Sequence, residues 1–368
     1  VATEGRGLQQ LDLNLYPNEA SGLLTVENDA LLEAHGWEFA FWVVMDEGRV
    51  EDCVGVIGHK EGTDISDGWE IDRFHAALTG DTKKTEDSES VARFDGWIYV
   101  FGSFFGGKSG PLEPKRGFVA RFREDEVRHA FTDPAVEIEV HRESFVLHRL
   151  VNDALRGSAP ALMELGPESR AALIEGTIER GEDKEKKWAG LVREGDWPLN
   201  FEGAAFRHDG TLLLGLRFPT TAEGHPLLVE MEGIERLFEP GSAMPSVTGF
   251  WSVDAVGKSG AMAGVRDLAI RKTPEGEELH VVTGNIDSKK GGSVLIKDYP
   301  PGRDTVASHF RCILPEDAHS GALEAEFVRE FPELPRVEGI AITEDGRFFY
   351  VTDEDEGVHL RLTRLLAD

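Results

Sequence analysis

The sequence predicts an all-β fold: a single β-propeller, of five blades in preference to six, with one helical insertion. Three observations carry that prediction. A short phrase recurs along the chain, its copies are almost evenly spaced, and the one uneven interval holds a stretch with a helical rather than a strand period. The domain is read as residues 1–368 and the insertion as 159–197.

In chain order the phrase appears first as Ser21-Gly22-Leu23-Leu24, followed by the strand-like Phe39 to Val44. The second copy is Glu89-Ser90-Val91-Ala92, with an Asp95-Gly96 turn and the apolar run Trp97 to Phe101. Glu202-Gly203-Ala204-Ala205 leads through Asp209-Gly210 to Leu212 to Leu214, and Arg266-Asp267-Leu268-Ala269 leads to Leu279 to Val282. The last copy, Glu338-Gly339-Ile340-Ala341, leads through Asp345-Gly346 to Phe348 to Val351. Each copy reads as a hairpin: a short apolar strand, a tight turn, and a second strand rich in aromatic and β-branched residues.

Successive copies are 68, 113, 64 and 72 residues apart. The long interval contains Ala161 to Val192, where Leu162, Leu165, Leu173, Ile174 and Ile178 fall among Glu, Arg and Lys at helical spacing, and Pro167-Glu168-Ser169 has the form of a helix start. Setting aside roughly 45 residues for an insertion brings that interval into line. A sixth blade, with Val136 to Val140 and Ser144 to Leu147 as strands, is the alternative. Leu11 to Leu15 alternates apolar and polar residues and is placed to complete the last blade beside Val358 to Leu366, which closes the ring and removes its open edge. The insertion has no room inside a blade and belongs on a rim, as a lid, as a contact, or packed on its own blade.

Composition narrows the partners. With 39 Lys and Arg against 68 Asp and Glu, the net charge of −29 repels nucleic acid and anionic membranes, so the expected partner is a small molecule in the central funnel. Cys53 and Cys312 make no disulfide framework, and no Cys/His cluster has zinc spacing. The longest apolar runs fall far short of a membrane span. The chain opens on Val1 with no legible signal segment, and compartment and oligomeric state stay open.

In a propeller the first strand of each blade lies innermost and the second returns beside it. The residue opening the first and the residue closing the second therefore emerge at the same end of the channel. Openings supply Ser21, Glu89, Glu202, Arg266 and Glu338; closings supply Asp46, Ser103, Arg217, Asn285 and Asp353. This ring recurs in position while varying in chemistry, which marks it as the candidate site. Three uses fit it. Glu202, Glu338, Arg217 and Arg266 can close the channel as a buried salt-bridge network. Glu202, Glu338, Asp353 and Asn285, with Glu89 nearby, are oxygen ligands for a divalent cation, calcium foremost. Arg217 and Arg266, with Ser103 and Asp46, can bind an anionic small molecule.

The chain resembles a bacterial family, the domain of unknown function 3616. The likeness rests on Asp87 to Ala92 followed by Tyr99 to Ser103, on Asn200 to Ala205 followed by Leu214 to Arg217, on Val265 to Leu268, and on Val337 to Ala341. The resemblance implies a propeller-like fold and no particular activity.

Other motifs fail on physical grounds. Gly102 to Ser109 spells a P-loop, but Gly110-Pro111 and Glu113-Pro114 oppose the helix that a phosphate cradle needs. His141 and His148, seven apart, would face opposite ways on strands, and His208 beside Asp209-Gly210 reads as solvated. Asp353 to Gly357 lacks the closing Glu of an EF-hand, and no GxSxG elbow is present. The simplest catalysis left is metal-assisted hydrolysis of a small ester, lactone or phosphoester with Glu89 as base. A non-catalytic propeller binding a small molecule or a protein is the rival reading.

Overall fold

Asp95 and Gly96 take positive φ values of 50° and 72°, and Phe94 pairs directly with Trp97, so the turn between them is the two-residue kind whose twist matches that of its strands. Hairpins with connections of differing length build five mainly antiparallel sheets in the computed structural model, which describes residues 9–13, 19–73, 75–128, 136–142, 144–158, 160–256, 261–287, 292–332, 334, 336–353 and 358–364. The sheets form a five-bladed propeller. Blade 1 contains Ala20–Thr25, Trp37–Met45, Val54–Lys60 and Trp69–Arg73. Blade 2 contains Ser88–Phe94, Trp97–Gly102, Val119–Arg123 and Glu137–His141, and blade 3 contains Asn200–Phe206, Leu212–Phe218, Leu227–Glu232 and Ser246–Val253. Gly264–Thr273, Gly276–Gly284, Ser308–Leu314 and Glu326–Glu330 make blade 4.

Blade 5 is built from both ends of the chain. Val337–Ile342, Arg347–Thr352 and Val358–Arg364 are joined by Gln9–Leu13, which pairs antiparallel from Gln9 opposite Leu362 to Leu13 opposite Val358. The expected closure by the N-terminal strand is therefore present; Asn14 and Leu15 lie outside the described residues. Two outer strands were not anticipated: Ala77–Gly80 runs parallel to Glu137–His141, and Gly321–Leu323 runs parallel to Ser246–Val253.

Two sequence expectations need correction. There is no sixth blade among the described residues: the Val136 to Val140 stretch is the fourth strand of blade 2, and Ser144 to Leu147 leads into a helix, Val146–Ser158. The helical segment thus begins at Val146 rather than at 159. Leu147, Val151 and Leu155 are its buried apolar residues, but His148 and Asn152 are buried beside them and blur the helical period in the sequence. Asn152 is accommodated because its carboxamide bonds both backbone groups of Trp197, donating to the carbonyl at 3.1 Å and accepting from the amide at 2.8 Å.

The remainder of the insertion packs on the propeller itself. Leu165, Leu173 and Ile174 share one apolar cluster with Phe105, Leu112 and Ile286, which come from the loops of blades 2 and 4. No helix among the described residues is long and apolar enough to cross a membrane.

A polar seam joins blades 4 and 5. Glu278, His280, His309 and Tyr350 form a buried hydrogen-bonded chain with three links of 2.8 Å. It is satisfied in one direction throughout when both rings are neutral: Tyr350 donates to His309 Nδ1, His309 Nε2 donates to His280 Nδ1, and His280 Nε2 donates to Glu278.

Candidate functional site

The inner strands carry a fivefold irregularity. In every blade the pairing of first and second strand skips one residue: between Ala20 and Gly22, Ser88 and Ser90, Phe201 and Gly203, Val265 and Asp267, and Val337 and Gly339. The skipped residues are Ser21, Glu89, Glu202, Arg266 and Glu338. A bulge re-aims the extra side chain and frees it from the alternation of the strand. Repeated five times around an axis, it gathers the five expected opening residues at one end of the channel. All five are buried, between 2% and 8% exposed.

Below the ring the inner strands come within contact distance. A Cβ on Gly203 would lie 3.2 Å from the backbone of Asp267, and one on Gly339 would lie 3.1 Å from the amide nitrogen of Leu23. Where blades 1, 2, 3 and 5 place Gly22, Ser90, Gly203 and Gly339, blade 4 places Asp267. Its carboxylate reaches the inner strands of blades 5 and 1, accepting from the amide of Ile340 at 2.8 Å and from that of Leu23, and also from its own neighbour Leu268. Burial pushes its affinity for a proton well up, with those amides opposing. Asp267 thus separates the polar ring from a cavity of about 1530 Å³ at the opposite mouth, lined among others by Leu23, Ala92, Leu268 and Ile340 and by no ring residue.

The ring has two halves. In one, Arg217 donates to Glu202 Oε1 at 2.5 Å and to the carbonyl and side-chain oxygens of Asn285 at 3.1 and 2.9 Å. Arg266 lies 3.0 Å from the other oxygen of Glu202 and is paired on its far side with Glu338. This is the expected salt-bridge network. Burial, and next to it the charge of Arg217, lowers the proton affinity of the Arg266 guanidinium to a pKa of about 10.

The other half is acidic. Asp46 closes the second strand of blade 1, and Asp87 immediately precedes the first strand of blade 2, its amide bonded to the Asp46 carbonyl at 3.1 Å. Asp87 has a positive φ of 70°, an uncommon conformation for this residue type. Arg116 donates to it at 2.9 Å and the Ser103 hydroxyl donates to the same oxygen. Ser103 accepts in turn from the amide of Phe105 at 3.1 Å. Carboxylate oxygens of Asp46, Asp87 and Glu89 lie within 4.8 Å of one another. Glu89, 8% exposed, accepts no hydrogen bond among the described residues, and Asp46 Oδ1 is buried without a partner. Burial, then the charges of Glu89 and Asp87, pushes Asp46 up to about 10. Burial also raises Glu89, with Glu202 and Asp87 adding to it.

Asp353 pairs with Arg336 and keeps its second oxygen buried and unbonded, and Ser21 is buried at the fifth position. The neighbours of Glu89 include Asp46 and Asp87, and the Ser103 hydroxyl is engaged with Asp87. Asp87, Arg116, Arg336 and Asp267 were not singled out from the sequence. His208 is exposed and pairs with Glu277, and Lys108-Ser109 lies in a turn with no helix after it.

No protein-family model matches the chain, and no curated protein matches it. Among solved structures, a thermostable family-43 glycoside hydrolase aligns at a TM-score of 0.45 with 11% identity, over 96% of this chain and 93% of its own. An endo-arabinase from Bacteroides thetaiotaomicron aligns at 0.46 with 8% identity, over 98% and 99%. A soluble aldose sugar dehydrogenase from Escherichia coli aligns at 0.42 with 11% identity, over 97% and 99%. These neighbours differ among themselves in chemistry, so the site is argued from its own residues.

Proposed function

We propose that the polar ring is a hydrolytic site for a small ester, lactone or phosphoester, assisted by a divalent cation. The observation that supports it is the position of Glu89, an unbonded carboxyl between fixed guanidiniums on one side and two further carboxyls on the other. A bound cation, calcium foremost, would polarise the substrate oxygen and lower the pKa of a water. The water oxygen adds to the carbonyl or phosphoryl centre, its proton passes to Glu89, and the bond to the leaving oxygen breaks as that oxygen takes the proton back. Arg217 and Arg266 supply positive charge toward the developing oxyanion without having to reorient, because Glu202 and Glu338 already hold them.

The test is a panel of generic esters, lactones and phosphoesters, with calcium and with chelator. Cation-dependent turnover that Glu89→Gln lowers by about a hundredfold or more is the expected result. Inactivity of folded, calcium-loaded protein toward the whole panel would defeat it. The rival reading, a binding propeller, draws on a specific observation: a cavity of about 1530 Å³ opens at the opposite mouth, away from the ring.

A further inference from the structure

The two carboxylate trios that meet at Glu89 differ in what they lack. Oxygens of Glu89, Glu202 and Glu338 lie within 4.8 Å of one another, but Arg266 is inserted between Glu202 and Glu338 and already supplies a cation there. Asp46, Asp87 and Glu89 also lie within that distance, and among the described residues their one ion-pair partner is Arg116, on Asp87. Three carboxyls crowded beside one guanidinium in a largely buried setting must hold protons or find a cation, because buried charge is normally compensated. Two groups aimed at this point are short of partners: Oδ1 of Asp46 is buried without one, and Glu89, a residue 8% exposed, makes no hydrogen bond among the described residues. Oxygens within 4.8 Å of one another are close enough to share one ion at the roughly 2.4 Å of a calcium–oxygen contact.

We propose that Asp46, Asp87 and Glu89 hold one hard divalent cation, calcium in preference to magnesium. The site departs from the ligand set read in the sequence, where Glu202, Glu338, Asp353 and Asn285 were expected; in the structure Arg217, Arg266 and Arg336 engage all four. The choice of calcium follows from geometry, since an irregular set of carboxylates on three separate segments suits a flexible coordination sphere better than a strict octahedron. The proposal deepens the hydrolytic reading and rests on it for the ion's role, not for its binding.

The experiment uses the full chain, stripped with chelator, and reads binding without any substrate. Calorimetric titration and melting curves are recorded with calcium, magnesium and manganese for the wild type and for Asp46→Asn, Glu89→Gln and Glu338→Gln. The wild type should bind one calcium and melt about 3 °C higher at a hundredfold excess over Kd. Asp46→Asn and Glu89→Gln should lose that shift while melting no lower than the stripped wild type, because each removes an uncompensated buried carboxyl. Glu338→Gln should melt lower and keep the shift. No heat and no shift with any of the three ions overturns the proposal, as does a shift that survives in both Asp46→Asn and Glu89→Gln. Calcium binding with an inert substrate panel defeats hydrolysis and leaves the ion; turnover that persists in chelator, with no calcium binding, overturns the ion and its assistance and leaves a hydrolase that needs no cation.

Discussion

On one side of the ring Glu202 and Glu338 are threaded through Arg217 and Arg266, and Asn285 completes the hydrogen bonding of the outer guanidinium. On the other, Asp46 and Glu89 confront each other and Asp87 with only Arg116 alongside. Bulge residues stand in both halves, Glu202, Arg266 and Glu338 in one and Glu89 in the other, and all four are buried, so the bulge is not what separates them. The difference lies in what shares the space. A guanidinium of fixed charge turns a buried glutamate into a structural tie, whereas a second carboxyl turns it into a group that must hold a proton or find a cation.

Breaking the paired half should have the largest effect. Glu202→Gln leaves Arg217 and Arg266 short of a counter-charge and should destabilise the fold by about 3–5 kcal/mol, read from denaturant midpoints at constant slope. A loss below about 1 kcal/mol would show that solvent reaches this half freely.

The acidic half should respond in the opposite sense. Asp46 holds its proton up to about 10 in the fold and to about 3.9 when unfolded. Its contribution is therefore complete below the unfolded value and is lost as pH rises toward the folded one, at about 1.4 kcal/mol per pH unit. Without divalent cations, the wild type should lose about 3 kcal/mol between pH 6 and 8 through this group, and Asp46→Asn should flatten that slope. A wild-type profile that is flat over this range would remove the distinction between the halves.

The seam between blades 4 and 5 provides a control of opposite sign. Burial lowers the proton affinity of both His280 and His309, and Glu278 partly restores that of His280. Each contribution is present above the unfolded value near 6.5 and falls away below it. Lowering pH below about 6.5 should destabilise the fold through both histidines, and His309→Phe should reduce that loss. The smallest effect is expected where the ring halves meet: Ser103→Ala removes the hydroxyl bond to Asp87 and should cost about 1 kcal/mol, with a rise in the pH at which the acidic half titrates.

Much of this was legible in the residues. The ten ring positions could be named from repeat spacing because a bulge at a constant place leaves a constant phrase behind it, an odd polar residue followed by a small one. Asp267 carried a signal too, as an acid where the other copies have Gly or Ser, but its reach to blades 5 and 1 depends on how closely five strands converge. Arg116 and Arg336 arrive from loops outside the phrase, so no period marks them. Asp87 stands beside Glu89 in the sequence, yet its approach to Asp46 is made between blades, which a local pattern does not encode. The early start of the insertion was hidden for a different reason: His148 and Asn152 occupy buried helical positions that apolar periodicity would assign to solvent.

The strand that seals blade 5 also sets a timetable. Gln9–Leu13 leaves the ribosome early, and its partner Val358–Arg364 follows roughly 20 to 70 s later at ordinary rates of synthesis. Until then the nascent chain carries an unpaired strand at one end and an incomplete sheet at the other. Any copy that has finished blade 5 first offers an edge to the waiting strand of another. Crowded expression should therefore yield linked copies that exchange their first strands, and dilution during refolding should favour rings closed upon themselves.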